Sequence, residues 1–176
     1  MNSNQKIFLA INIVGGILVL ASYVIGLKAG KSADVLWGGT PKNIRGVYTV
    51  SMLVSATGFF LFTIFTFLQF KNVESILPYS LDKNVFHILY SVLLICSMLW
   101  IPLVNLMVST PSTLLWISIR TVLILVGLSS LILLIILLKI SPKPTGFLYI
   151  SSIVGLSWFF IHTGILDALL WPYYWK

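Results

Sequence analysis

Charged residues are scarce in this sequence: they make up 9% of its 176 residues, and only four are Asp or Glu. A soluble domain has about 25% charged residues, so the polar side chains are too few to cover a water-soluble globule of this size. Hydrophobic residues make up 59% of the chain, which is the reverse of the composition of a disordered protein. The composition therefore indicates that lipid, rather than water, is the solvent of this protein.

Residues that carry chemistry are equally few. The one cysteine, Cys96, has no partner for an internal disulfide and lies in an apolar run, so we interpret it as a packing residue. The sequence has no HExxH or GxSxG motif and no phosphate-binding glycine loop. An enzyme is therefore unsupported by the sequence, although it is not excluded.

The two histidines do not predict a metal or haem site. His87 and His162 are expected at depths that differ by about 10 Å or more, at the rise of an α-helix. Two axial ligands of one haem lie at nearly the same depth, so bis-histidine haem is excluded. Neither histidine has the neighbouring Cys, His or Glu of a zinc site. We predict no metal site, although ligation of a haem by a single histidine stays open.

The excess of basic residues does not indicate nucleic acid. Eleven Lys and Arg give a net charge of +7, but they form no continuous stripe. Most of them flank apolar runs, where anionic lipid head groups lie: Lys6, Lys28, Lys31, Lys71, Lys83 and Lys139. We therefore expect a lipid bilayer as partner and no nucleic acid.

Five apolar stretches reach the length of about 20 residues that a helix needs to cross a bilayer. They cover residues 7–27, 47–70, 85–108, 114–138 and 147–170. The sequence predicts an all-α integral membrane protein, a bundle of five transmembrane helices in a single transmembrane domain over residues 1–176. The termini then lie on opposite faces, here named the N-terminal face and the C-terminal face. Basic residues are divided equally between the faces, so the orientation and the kind of membrane are not indicated.

Two charged side chains are predicted at similar depth below the C-terminal face. At 1.5 Å per residue, Arg120 lies about 9 Å and Asp167 about 6 Å below that face. Their spans are joined by a short loop and are expected to be neighbours. Because a charge inside lipid needs a partner, we expect an ion pair between the two. The alternative is that Arg120 extends to the head groups on its own while Asp167 meets water.

His162 is predicted nearer the middle of the fifth span. We interpret it as hydrogen-bonded to another helix, with contact to a ligand as the alternative. A catalytic set of Ser157, His162 and Asp167 is not expected, since positions five apart on an α-helix are separated by about 140°.

Further polar and aromatic side chains are expected to line a cavity open to the C-terminal face. The polar ones are predicted at the depth of Arg120, namely Tyr23, Tyr48, Ser51 and Asn105. Flat apolar ligands suit aromatic walls, and the tryptophans Trp100, Trp116 and Trp158 are placed to supply them. The terminal WPYYWK segment is typical of a membrane boundary.

Two short patches are similar to a known family. In the fifth span Trp158 is followed by Leu166-Asp167 and Trp171, and a second patch joins Trp100 to Pro111. With five spans and the longest loop after the first, the chain resembles the translocator protein family, TspO/MBR, also called tryptophan-rich sensory proteins.

The resemblance implies a binder of tetrapyrroles or sterols whose pocket opens toward the first loop. Trp37, Trp100 and Trp158 are the pocket residues that it implies. The chain departs from the family pattern in keeping only Tyr48-Thr49 of the motif that opens the second span and in having Asp167 where the family has Asn.

The function that the sequence favours is binding or translocation of a hydrophobic or amphipathic small molecule in an intramembrane pocket. Arg120 is the expected anchor for an anionic group, with Asp167 modulating Arg120 and His162 as hydrogen-bond partner. Two alternatives stay open: an accessory subunit of a larger membrane complex or homo-oligomer, and a small ion or proton pathway through these three residues.

Overall fold

The structure is a computed structural model that describes residues 1–29, 33–70, 77–78, 81–82 and 84–175. Its five long helices confirm the predicted all-α fold, and each is long and apolar enough to cross a membrane. They are α1 (Ser3–Ala29), α2 (Lys42–Gln69), α3 (Asn84–Ser109), α4 (Thr113–Lys139) and α5 (Phe147–Phe160). Helix α5 continues as a π-helix over Ile161–Leu170 and then as the short helix α6 over Trp171–Tyr174. The basic residues Lys31, Lys71, Lys83 and Lys176 lie outside the described residues.

The helices are longer than the predicted spans at the ends that reach the head groups. Helix α1 begins at Ser3 rather than at Ile7, and α2 begins at Lys42 rather than at Val47. Polar residues are tolerated there because the head-group layers on both sides of the hydrocarbon core are wet. The fifth span runs on to Tyr174 without a break in the helical backbone.

The order of the helices around the bundle differs from their order in the chain. Helix α3 packs against both α1 and α4, and α5 with its π-helical continuation packs against α2 and α4. Helices α1 and α2 meet only weakly. Because α1 has one main neighbour, only 6% of its most apolar window is buried, against 56% for α4. Helix α1 is therefore the outer helix and α4 the inner one.

Aromatic packing holds the half of the bundle next to the N-terminal face. Tyr90 of α3 is 0% exposed, and its ring lies 4.7 Å from that of Phe8 and 5.8 Å from that of Phe62. Its hydroxyl is 3.3 Å from Oγ1 of Thr63. Rings and hydroxyls of three helices are thus joined at one point.

Helices α2 and α5 approach each other closely at two facing glycines near their middles. A Cβ atom on Gly58 would overlap backbone atoms of Gly155, and one on Gly155 would lie 2.5 Å from Cα of Gly58. Only glycine allows this approach, which is the usual role of small residues in membrane helix packing.

The first loop and the C-terminal end of the chain close the C-terminal face together. A 3-10 helix over Ala33–Trp37 lies in this loop. The indole Nε1 of Trp171 donates to the carbonyl oxygen of Leu36 at 2.9 Å, and the amide of Gly39 donates to the carbonyl oxygen of Tyr174 at 3.0 Å. Gly38 has a φ of 54°, a backbone conformation that glycine adopts without strain. These contacts fix the loop over the end of the bundle.

Candidate functional site

His162 and Asp167 face each other because the helix between them is a π-helix. A π-helix forms i→i+5 hydrogen bonds, so residues five apart lie nearly above one another. Nε2 of His162 is accordingly 3.5 Å from Oδ2 of Asp167. The expectation that the two side chains are separated by about 140° was wrong, since it assumed α-helical geometry.

Ser51 of α2 joins this pair to Trp158. Nδ1 of His162 lies 3.0 Å from Oγ of Ser51, and Nε1 of Trp158 donates to the same oxygen at 3.2 Å. Ser51 is 2% exposed and His162 is 7% exposed. The chain of polar contacts thus crosses from α2 to the fifth span inside the bundle.

This serine, histidine and aspartate do not form the geometry of a hydrolase. The hydroxyl of Ser51 is enclosed and already accepts from Trp158, so no substrate carbonyl reaches it. A nucleophilic serine needs both access and an oxyanion site beside it. The arrangement is suited to positioning the imidazole and, through it, the carboxylate.

Tyr48 ties the π-helical segment to α2 and to the first loop. Its hydroxyl donates to the carbonyl oxygen of Leu166 at 3.1 Å. Its ring lies 6.5 Å from that of His162 and 6.1 Å from that of Trp37. The guanidinium of Arg45 lies over Trp37, and its Cζ atom is 5.5 Å from the centroid of the Trp37 ring. Loop, helix and imidazole are therefore held in one contact network.

Arg120 does not form the expected ion pair with Asp167. Among the described residues, the one ion-pair contact of Asp167 is with His162. The guanidinium of Arg120 lies instead 6.0 Å from the ring of Trp116, one turn earlier on α4. Its Nε is buried and has no hydrogen-bond partner in the part of the chain that the structure describes.

Trp171 packs beside Trp116, the ring on which the Arg120 guanidinium lies. Its ring packs 5.8 Å from that of Trp100 and 6.2 Å from that of Trp116, and it is 4% exposed. The depths that the sequence predicts for Arg120 and Asp167 do not determine which way each side chain points around its helix. Around α4 that direction brings the Arg120 guanidinium to the ring of Trp116.

A cavity of about 840 Å³ opens beside Arg120 at the C-terminal face. Segments from the first loop, the α3–α4 turn and the C-terminal end of the chain surround it. Its lining residues are Val35, Gly38, Met107, Val108, Pro111, Trp116, Arg120, Pro172 and Trp175. We name this space the C-terminal cavity.

The other predicted site residues lie outside the C-terminal cavity. Nδ2 of Asn105 donates to the carbonyl oxygen of Gly26 at 2.9 Å and so clamps α3 to α1. The ring of Trp100 lies 6.1 Å from that of Tyr23, and its Nε1 is buried without a partner among the described residues. Trp158 is 42% exposed and reaches the site only through Ser51.

Two residues of this region were assigned by the sequence only to the membrane boundary. Trp171 is inside the bundle, and Trp175 lines the C-terminal cavity 6.1 Å from the ring of Trp116. An aromatic-rich chain end is typical both of a boundary and of a lid over a cavity, so the composition of the segment did not separate the two.

The comparisons with known proteins do not assign a family. No protein-family model matches the chain, and no curated protein and no solved structure is significantly similar to it. Among the described residues, no group of three or more His, Cys, Asp or Glu side chains is placed to hold a metal ion. The resemblance to the TspO/MBR family stays a prediction, and the chain is an all-α bundle of five membrane-spanning helices.

Proposed function

We propose that this protein binds an amphipathic small molecule with an anionic group in the C-terminal cavity. The observation that carries the proposal is the guanidinium of Arg120, whose buried Nε has no partner in the described chain and which borders a cavity of about 840 Å³. A buried donor without an acceptor costs about 1–3 kcal/mol. A carboxylate or phosphate bound in the cavity would pair with the charge of this guanidinium.

The walls of the cavity favour a ligand with a flat apolar body. Trp116 and Trp175 are stacked on one side, with ring centroids 6.1 Å apart and an angle of 24° between the planes. Pro111 and Pro172 add rigid apolar surface. Small-molecule sites are typically of about 300–1,000 Å³ and combine such walls with a few polar groups. Guanidinium binds planar anions through two parallel hydrogen bonds.

Tetrapyrroles and sterols are the ligand classes that the family resemblance implies, and they differ in the group that matters here. A tetrapyrrole with carboxylate side chains offers a flat ring and an anion, whereas a sterol offers no charge. The position of Arg120 favours the tetrapyrrole with carboxylates. Translocation of such a molecule, rather than binding alone, needs a second opening of the cavity and is a separate question for transport assays.

The proposal is tested by quenching of tryptophan fluorescence in neutral detergent micelles. Protoporphyrin IX is titrated into the wild-type protein and into Arg120→Gln, and we expect the variant to bind about tenfold more weakly because the charge-assisted hydrogen bonds are lost. Lys139→Gln is the matched control, since it removes one positive charge from the other end of the same helix.

A second probe separates charge from shape. Protoporphyrin IX dimethyl ester has the same ring but no carboxylate, and we expect it to bind the wild-type protein and Arg120→Gln equally weakly. Equal affinity of the acid for both proteins, or equal affinity of acid and ester for the wild type, would contradict the proposed recognition of an anion.

The separation of the charged groups does not favour the ion or proton pathway. Such a pathway needs Arg120, His162 and Asp167 in one continuous track, and no ion pair or hydrogen bond between described residues joins Arg120 to the other two. An accessory subunit is distinguished by co-purification with fixed partners and by the absence of saturable binding of either probe.

A further inference from the structure

The polar contacts of Ser51, His162 and Asp167 lie outside the binding site proposed above. The lining of the C-terminal cavity is formed by other residues, whereas Ser51 and His162 are buried between α2 and the fifth span. Polar and ionisable side chains inside a membrane are costly and are functional residues by default. These three side chains therefore need a role that the binding of a ligand by Arg120 does not supply.

One continuous helical segment joins these contacts to the wall of the cavity. The π-helix over Ile161–Leu170 contains His162 and Asp167, and the helical backbone continues beyond it. Pro172 and Trp175, which line the cavity, come directly after this segment. Because the backbone stays helical between the two parts, the turn of the π-helix determines which way the residues after it point.

The π-helix changes the direction of the side chains that follow it. On an α-helix, residues five apart are separated by about 140° around the axis, whereas i→i+5 hydrogen bonds bring them to the same side. The amide of Trp171 makes such a bond to the carbonyl oxygen of Leu166. With α-helical geometry between these two residues, Trp171, Pro172 and Trp175 would lie about 140° further around the axis.

Contacts on two sides of the segment favour the π-helical turn. Nε2 of His162 is 3.5 Å from Oδ2 of Asp167, a contact that a separation of about 140° would break. Nδ1 of His162 is 3.0 Å from Oγ of Ser51, which holds the imidazole against α2. On the side of α4, a Cβ atom on Gly127 would lie 2.8 Å from Cα of Gly164, so the absence of side chains lets the segment approach α4 closely.

The contacts at the cavity depend on the same direction. The indole Nε1 of Trp171 donates to the carbonyl oxygen of Leu36 at 2.9 Å. The ring of Trp171 is 4.9 Å from that of Trp175, which is stacked with Trp116 at 6.1 Å. A rotation of the chain after the π-helix would break these contacts and remove Trp175 from the stack.

We propose that His162 and Asp167 are positioning residues of the C-terminal cavity, because their contact holds the π-helical turn that directs Pro172 and Trp175 into its wall. Neither residue touches the ligand. The inference rests on the proposed function, since the cavity is the ligand site. Arg120 belongs to α4 and keeps its place when the turn is lost, so the binding of the apolar body and the recognition of the anion are affected separately.

The first measurement needs no ligand and follows the tryptophans themselves. The protein is labelled with 5-fluorotryptophan, and the ¹⁹F resonances of Trp171 and Trp175 are assigned by replacing each with Phe. We expect both resonances to shift in His162→Leu and in Asp167→Leu. His87→Leu is the matched control, since it removes the other buried histidine from the half next to the N-terminal face, and should leave both resonances in place.

The second measurement separates this role from that of Arg120. Protoporphyrin IX and its dimethyl ester are titrated into each variant. We expect His162→Leu and Asp167→Leu to bind both compounds about fivefold more weakly through loss of aromatic contacts, and to keep the wild-type ratio of the two affinities. Arg120→Gln should lose that ratio instead. Asp167→Asn should behave as the wild type, because its amide oxygen still accepts from the imidazole.

Two results would overturn the inference. One is unshifted resonances of Trp171 and Trp175 in His162→Leu and Asp167→Leu; the second variant removes a carboxylate from the membrane interior and is expected to fold even if the first does not. The other is loss of the preference for the acid in these variants, which would show a general disturbance of the bundle. Shifted resonances in a protein that binds neither porphyrin would contradict the proposed function and still support the positioning of the cavity wall.

Discussion

The two halves of the bundle are built differently. The half next to the N-terminal face contains the larger apolar cluster, with seventeen buried hydrophobic residues that reach to the middle of the bundle, whereas the cluster at the C-terminal face has six. The C-terminal half contains instead the polar contacts of Ser51 and His162, the C-terminal cavity, and the buried Nε of Arg120, which has no hydrogen-bond partner among the described residues.

This contrast puts the packing that stabilises the fold and the proposed binding site at different depths along the membrane normal. Lipid tails are as apolar as the helices, so close packing rather than the hydrophobic effect joins helices in a bilayer. The N-terminal half packs closely around Tyr90 and therefore holds the fold. The C-terminal half tolerates open space and polar groups because the other half carries the packing.

The sharpest test of this contrast exchanges one tyrosine in each half for alanine. Tyr90→Ala should lower the free energy of unfolding by about 4 kcal/mol, because it leaves a closed cavity among rings. Tyr48→Ala should lower it by about 2 kcal/mol, since fewer buried apolar side chains surround Tyr48 than surround Tyr90. Equilibrium unfolding in mixed micelles measures both; an equal loss in the two variants would remove the contrast.

The glycine contact at the middle of the bundle should show the next largest effect. Gly58→Ala places a methyl group against the backbone of α5 at Gly155 and should lower the free energy of unfolding by about 3 kcal/mol. Gly16→Ala is the control, because nothing lies within 4 Å of the added atom; it should be neutral or stabilising by up to about 1 kcal/mol. Thermal melting of the two variants in one detergent compares them directly, and similar melting temperatures would argue against tight α2–α5 packing.

A smaller loss is expected from the polar contacts of the C-terminal half. Ser51→Ala leaves Nε1 of Trp158 and Nδ1 of His162 without their shared partner and should lower the free energy of unfolding by about 1–2 kcal/mol. Ser55→Ala, one turn along α2, loses only a bond of 3.5 Å to the carbonyl oxygen of Trp158 and should lose a few tenths of a kcal/mol. Unfolding curves of both variants should differ in this order; the reverse order would show that Ser51 does not organise the site.

The membrane-spanning helices could be predicted from sequence, whereas the π-helix could not. Length and apolarity determine the spans, and these are properties of the segment itself. The turn type at Ile161–Leu170 depends on tertiary contacts: the hydroxyl of Tyr48 binds the carbonyl oxygen of Leu166, and Gly164 packs on Gly127. Neither contact is visible in the local sequence.

The sequence predicted how deep the polar residues of the candidate site lie in the membrane, but not the direction in which their side chains point. Counting residues from the span ends placed the polar groups near the C-terminal face, where the structure has Arg120 beside a cavity. The rotation of each helix about its axis depends on its packing partners, and in the structure Arg120 lies against Trp116 whereas Asp167 contacts His162. For this reason the sequence predicted one charged pair where the structure has two separate charged groups.

Hydrogen exchange followed by mass spectrometry tests the separation of stability from binding most directly. The protein is compared alone and with saturating protoporphyrin IX. The account predicts slow exchange around Tyr90 in both samples, and faster exchange at Ala33–Trp37 and Ile161–Leu170 that slows when the porphyrin is bound. Uniform exchange along the helices, or protection by the porphyrin mainly around Tyr90, would contradict it.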